Sequence, residues 1–164
     1  MAEKSGLDIS IAVFVHYREL NFLKYDAAAG KLKIEVALEG LPDKEKLDSF
    51  AENTRNSLLL YYKLSKVEAE SVDITWHTQA GITLITLSRD IHSLSEEEID
   101  LFMSLVKASF STMLIIDKTK DVTAEEKYTR EIKRSLAHNR NLNSVSSKNF
   151  FGFRDRGTMF VFNK

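Results

Sequence analysis

The sequence predicts an α+β fold: an antiparallel sheet of roughly 5–7 strands with two main helices packed on it, a third basic helix and a C-terminal hairpin. Three observations predict it. Residues 31–39 alternate strictly, with Leu32, Ile34, Val36 and Leu38 on one side and Lys31, Lys33, Glu35 and Glu39 on the other. That is a strand with one packed and one solvated face. Residues 42–65 repeat apolar groups at steps of three and four, as an amphipathic helix does. Residues 95–118 do so on two faces at once, which marks a helix covered nearly all round.

The remaining elements follow in chain order. Residues 7–17 alternate, with Ile9, Ile11, Val13, Val15 and Tyr17 on one side, and read as a first strand. Residues 20–25 read as a short second strand, closed by a turn at Asp26 to Gly30. Gly40-Leu41-Pro42 ends the strand at 31–39 and opens the first helix. Its buried stripe is Leu47, Phe50, Ala51, Thr54, Leu58, Tyr61 and Tyr62. Residues 71–78 alternate again, with Val72, Ile74 and Trp76 inward and Asp73, Thr75 and His77 outward. Gln79-Ala80-Gly81 turns the chain, and 82–89 returns as a strand that is bulged or covered on both sides.

Ser95 and Glu98 have capping-box spacing and start the helix at 95–118. Ile99, Phe102, Met103, Val106, Phe110 and Met113 share one face; Leu101, Leu105, Ala108, Thr112 and Ile116 share the other. Asp100, Ser104, Lys107, Ser111 and Lys118 form a polar stripe. A sheet must cover one apolar face, and a helix, the tail or another subunit the other. Thr123 and Glu126 cap a third helix at 124–140, whose apolar stripe (Tyr128, Ile132, Leu136) is thin. A polar linker follows. Residues 149–163 hold 5 of the 10 Phe and read as a hairpin. The expected division is an α+β body at 1–143 and, at 144–164, a linker with a Phe-rich hairpin docked on the body or on a partner.

Composition narrows the function. The 164 residues are 43% apolar and 29% charged, which suits one folded domain. There is no Cys, so thiolate metal sites and Cys nucleophiles are excluded. The apolar run from Ile9 to Val15 is followed by His16-Tyr17-Arg18-Glu19 instead of a small-residue cleavage site, so it reads as a strand more readily than a signal peptide, and a cytoplasmic protein is expected. The apolar run of 95–118 is too short and too interrupted for a bilayer, so no membrane partner is expected. The net charge of −1 hides an asymmetry. Residues 1–126 carry 14 Lys and Arg against 22 Asp and Glu; residues 127–164 carry 9 against 2. Such separation suggests a contact surface for an acidic partner.

No nucleophile elbow, zinc-protease helix, dinucleotide fingerprint, EF-hand or Walker A pattern is present. No catalytic residue, metal ligand or cofactor is assigned. The constellation that stands out is the basic end: Lys127, Arg130, Arg134, His138, Arg140, Arg154 and Arg156, with Phe151 and Phe153 among them. Cations neutralise phosphates and aromatic rings stack on unpaired bases. Phe151-Gly152-Phe153 echoes the centre of the RNP1 motif, with Arg154 and Arg156 where apolar groups belong. The leading expectation is a non-catalytic binding or regulatory module working through protein–protein contacts, as a homodimer. The alternative is single-stranded nucleic-acid binding through the basic helix and hairpin. A third reading is a hydrolase or metal site where strands bring His16 and His77 together.

Overall fold

The computed structural model describes residues 13, 15–116, 149–155 and 158–163. The elements are β1 (Leu20–Asp26), β2 (Lys31–Glu39), α1 (Lys44–Ser65), β3 (Val72–Gln79), β4 (Ile82–Asp90), α2 (Glu96–Phe110), β5 (Phe150–Asp155) and β6 (Thr158–Asn163). The strands form one antiparallel sheet in the order β3-β4-β2-β1-β5-β6. The fold is α+β. Among the described residues, no helix is long and apolar enough to cross a membrane.

Local chemistry sets the turns and caps. Between β1 and β2, Asp26 Oδ1 accepts from Ala29 N at 3.1 Å, and Gly30 takes φ +62°. Between β3 and β4, Ala80 and Gly81 both have positive φ (52° and 80°), the requirement of a two-residue type I′ turn. α1 ends on Lys66 in the left-handed region, with Val67 N donating to Tyr62 O at 2.9 Å. Ser95 caps α2 by accepting from Glu98 N at 3.3 Å. The reciprocal half of the expected capping box is not made. The Glu98 carboxylate turns inward, to Arg89 and Tyr62.

Alternation decides which face of the sheet is covered. Leu23, Leu32, Ile34, Val36, Ile85 and Leu87 are buried on one face. Both helices lie on that face. α1 inserts Leu47, Phe50, Leu58 and Tyr62, and α2 inserts Ile99, Phe102, Met103, Val106 and Phe110. Phe50 meets Phe110 edge-on at 5.1 Å while Tyr62 reaches Glu98, so the helices run antiparallel. α1 also packs over β3, where the Trp76 indole donates to Asp48 Oδ1 at 2.9 Å. The other flank of α2 is met by the segment before β1. Tyr17 donates to Asp100 Oδ1, and Lys107 pairs with Glu19 at 2.7 Å. Part of the expected polar stripe is therefore an intramolecular contact.

The structure corrects the expected fold at several points. Val13, Val15 and His16 are helical, and Tyr17 N donates to Val13 O at 3.1 Å. The C-terminal part of the expected strand at 7–17 is thus a helical turn, because alternation cannot compete where the chain must bend into β1. The helix expected over 95–118 stops at Phe110. Glu39 N donates to Met113 O at 2.7 Å and Ile115 N to Ala37 O at 2.9 Å, so residues 113–115 extend the row of β1 beside β2. β4 pairs on both sides without a bulge; the register shift is in β1, between Leu20 and Phe22. The third basic helix expected at 124–140 lies outside the described residues. Nor do residues 150–163 make a separate hairpin resting on the body. β5 continues the sheet from β1, placing Phe22 opposite Phe153 and Lys24 opposite Phe151. The strands at the C-terminal end are integral to the sheet because the outer edge of β1 has backbone groups to satisfy.

Candidate binding face

The second face of the sheet is the one opposite α1 and α2. Register places side chains in rows across it. One row runs Thr75, Thr86, Glu35, Phe22, Phe153, Phe160. The next, two residues along each strand, runs Asp73, Ser88, Lys33, Lys24, Phe151. On β3, Asp73, Thr75 and His77 are exposed, as are Lys24 and Lys33; Phe22, Phe151 and Phe153 are half-buried. Phe160 is 39% exposed.

The rings are ordered. Phe153 and Phe160 stack at 5.1 Å between centroids with planes 22° apart, and Phe22 and Phe151 at 6.5 Å and 28°. Strand alternation produces this: Phe151 and Phe153 share the open face while Gly152 between them is buried beside Leu23 on the helix side. Glu35 sits where the aromatic half meets the polar half. Burial raises its carboxyl above the usual range, opposed by the Thr86 hydroxyl, which donates to Oε2 at 3.0 Å, and by His77.

A second cluster lies on the covered side. Arg89 is 1% exposed, and all five of its donors are used. Nε and Nη2 donate to the two Glu98 oxygens, Nη2 also to Ser93 Oγ at 3.0 Å, and Nη1 to Asp90 Oδ1 and to Ser71 O at 3.1 Å. The guanidinium lies 4.8 Å from the Tyr62 ring, and the Tyr62 hydroxyl donates to Glu98. Burial works against the Arg89 charge, but Glu98 outweighs it and the pKa is raised. Burial likewise opposes the Asp90 charge; Ser93, Ser71 N and Arg89 outweigh it and hold the carboxyl below its usual value. This cluster locks α2 to the end of β4 and leaves no donor of Arg89 for a ligand.

The sequence-predicted residues fall in three places. Lys127, Arg130, Arg134, His138, Arg140 and Arg156 lie outside the described residues. Phe151 and Phe153 are on the open face. Arg154 points the other way, donating to Leu20 O and Tyr17 O at 3.1 Å each, so it clasps the start of β1. His16 and His77 are not brought together: His16 is in the turn before β1, His77 is on β3, and β2 and β4 lie between. Among the described residues no three His, Cys, Asp or Glu are grouped to hold a metal ion. Sequence reasoning missed Phe22, Lys24, Lys33 and Phe160 as one set. The signal was the alternation of residues 20–26, but strand order is what joins them.

Comparison with protein-family models, with curated proteins and with solved structures finds no match to this chain.

Proposed function

We propose that the chain is a non-catalytic binding module whose contact surface is the open face of its sheet. One observation carries the reading. Phe22, Phe151, Phe153 and Phe160 lie together on the face opposite both helices, with lysines and hydroxyl groups around them. An aromatic centre with a polar rim has the anatomy of an interface. The proposal sets the protein in the cytoplasm, in keeping with a chain that carries no cysteine. A homodimer would use this same face. The leading expectation of a dimer through the second apolar face of the 95–118 segment stays open: Leu101 and Leu105 are half-buried within the chain, while Ala108, Thr112 and Ile116 are exposed.

The test compares what tagged variants retain from cell extract, scoring protein, nucleic acid and self-association separately. Phe160→Asp with Lys33→Glu should lose the retained material. Leu64→Asp, on the exposed surface of α1, should keep it. Equal retention by all three chains would mean that the contact surface is elsewhere.

A further inference from the structure

The binding-module reading leaves the partner open, and this inference rests on that reading. We propose that the partner is a second copy of the chain, joined at the aromatic end of the sheet: β6 of one copy pairs antiparallel with β6 of the other about a two-fold axis at Val161, and the two sheets become one. Ladder alternation shows which backbone groups are free to do this. Ile115 N donates to Ala37 O, so the odd-numbered residues of β2 bond toward the β1 side. Lys31 and Lys33 therefore bond Asp26 and Lys24 through their backbones, which leaves Leu23 and Tyr25 to bond Gly152 and Phe150 of β5. Phe151, Phe153 and Asp155 then bond Phe162, Phe160 and Thr158. The backbone N–H and C=O groups of Met159, Val161 and Asn163 are the ones that point away from the sheet. Among the described residues, no strand lies beyond β6.

The chemistry of β6 admits its own copy. Thr158-Met159-Phe160-Val161-Phe162-Asn163 carries neither charge nor proline, two devices that keep sheet edges apart. The opposite edge, β3, carries the exposed Asp73 and has α1 packed over it. A charged edge selects a partner of opposite charge. An uncharged edge offers no such handle, and a two-fold axis supplies the match by symmetry. About Val161, Met159 stands opposite Asn163 of the copy and Val161 opposite its own equivalent, so every outward backbone group within β6 is met. About Phe160, Asn163 would be left over. The Val161 register also sets Phe160, 39% exposed, opposite Phe162 of the copy, and so carries the row Phe22, Phe153, Phe160 across the axis.

The experiment is light scattering of the full chain over a range of concentration, joined to a cysteine cross-link. Wild-type chain should reach twice the chain mass and stop there, because a two-fold pairing closes. Val161→Pro removes an outward N–H and leaves the ladder to β5 intact, so it should stay folded by circular dichroism and fall to the mass of one chain. The cross-link decides the matter even if that variant fails to fold. The chain has no cysteine, so Val161→Cys carries a single thiol. Across the axis its Cα would lie about 5.5 Å from its equivalent, within the roughly 4.4–6.8 Å that a disulfide spans. Mild oxidation should give a covalent dimer at concentrations where Thr78→Cys, exposed on the β3 edge, gives none. A wild-type monomer, a folded Val161→Pro that remains a dimer, or equal cross-linking by the two cysteine variants would overturn the proposal. The extract test then separates the two readings. Another protein or nucleic acid retained by wild-type chain and lost on Phe160→Asp with Lys33→Glu would keep the open face as a contact surface and remove only the second copy; a strict monomer that retains nothing would remove both.

Discussion

Arg89 is the residue on which the covered side of the sheet depends most. Its guanidinium neutralises Glu98 in the core and orders Asp90 and Ser93 at the end of β4. Replacing it leaves a buried carboxylate without its cation, so Arg89→Met should cost about 3–5 kcal/mol in a urea titration. Asp90 adds a pH dependence. Its pKa in the folded chain is below the ordinary 3.8, so its contribution is complete above that value and is lost as pH falls further, through the folded pKa. Glu35 has the opposite sign. Its carboxyl is raised above 4.5, so the folded chain holds that proton more tightly and stability falls as pH rises from 4.5 through the folded value. Glu35→Gln should therefore stabilise the chain at pH 7 and make no difference below pH 4.5, read by thermal melts at the two pH values. None of these pairings was legible in the sequence. Arg89 and Glu98 are nine positions apart with a loop between them, and Glu98 carries an equally good signature as a cap residue. Only the fold decides between a carboxylate that reaches back to its own helix and one that turns into the core.

Single elements show where local pattern suffices and where it fails. The alternation of β2 and the three-and-four spacing of Leu47, Phe50, Thr54, Leu58 and Tyr62 are visible directly, because each of these faces meets one partner along its whole length. The C-terminal end of α2 is not visible. Met113 continues the helical spacing, yet its carbonyl is captured by Glu39 N. The free backbone of β2 beyond the reach of β1 outweighs one more helical turn. The β3–β4 turn holds a local conflict that can be relieved. Ala80 sits at φ 52°, where a Cβ is strained, and a Cβ on Gly81 would meet open space. Ala80→Asn produces the Asn-Gly pair that type I′ turns prefer and should gain about 0.5–1 kcal/mol, measured as a raised urea midpoint with an unchanged slope.

For the whole molecule, the decisive fact is that the sheet is completed by residues far apart in sequence. β1 pairs with β5 across more than a hundred residues, and Arg154 fastens the carbonyls of Tyr17 and Leu20 from the same distance. The sequence does show that 150–163 is aromatic and extended. It does not show where those strands pair, because register between distant strands leaves no local trace. Grouping Phe22 and Lys24 with Phe151 and Phe153 needed that register, and so did the removal of Arg154 from the candidate contacts. A chain cut after residue 148 would lose β5 and β6 and expose the edge of β1 with its half-buried Phe22. It should associate through that edge, seen as mass growing with concentration in light scattering. A truncated chain that stays monomeric would mean that β1 is protected in some other way.

The same long-range pairing has a consequence for how the protein is made. A ribosome adds about 5–20 residues per second, so about 6–25 s separate the completion of β1 from the appearance of β5. Over that interval the nascent chain can pair β1 with β2, and β2 with β4, but β5, the partner on the other side of β1, has yet to be made. Neighbouring nascent chains on one message would present the same unfilled edge at high local concentration. Yield on expression should therefore respond to translation speed through residues 27–149 more than to the stability of the finished fold.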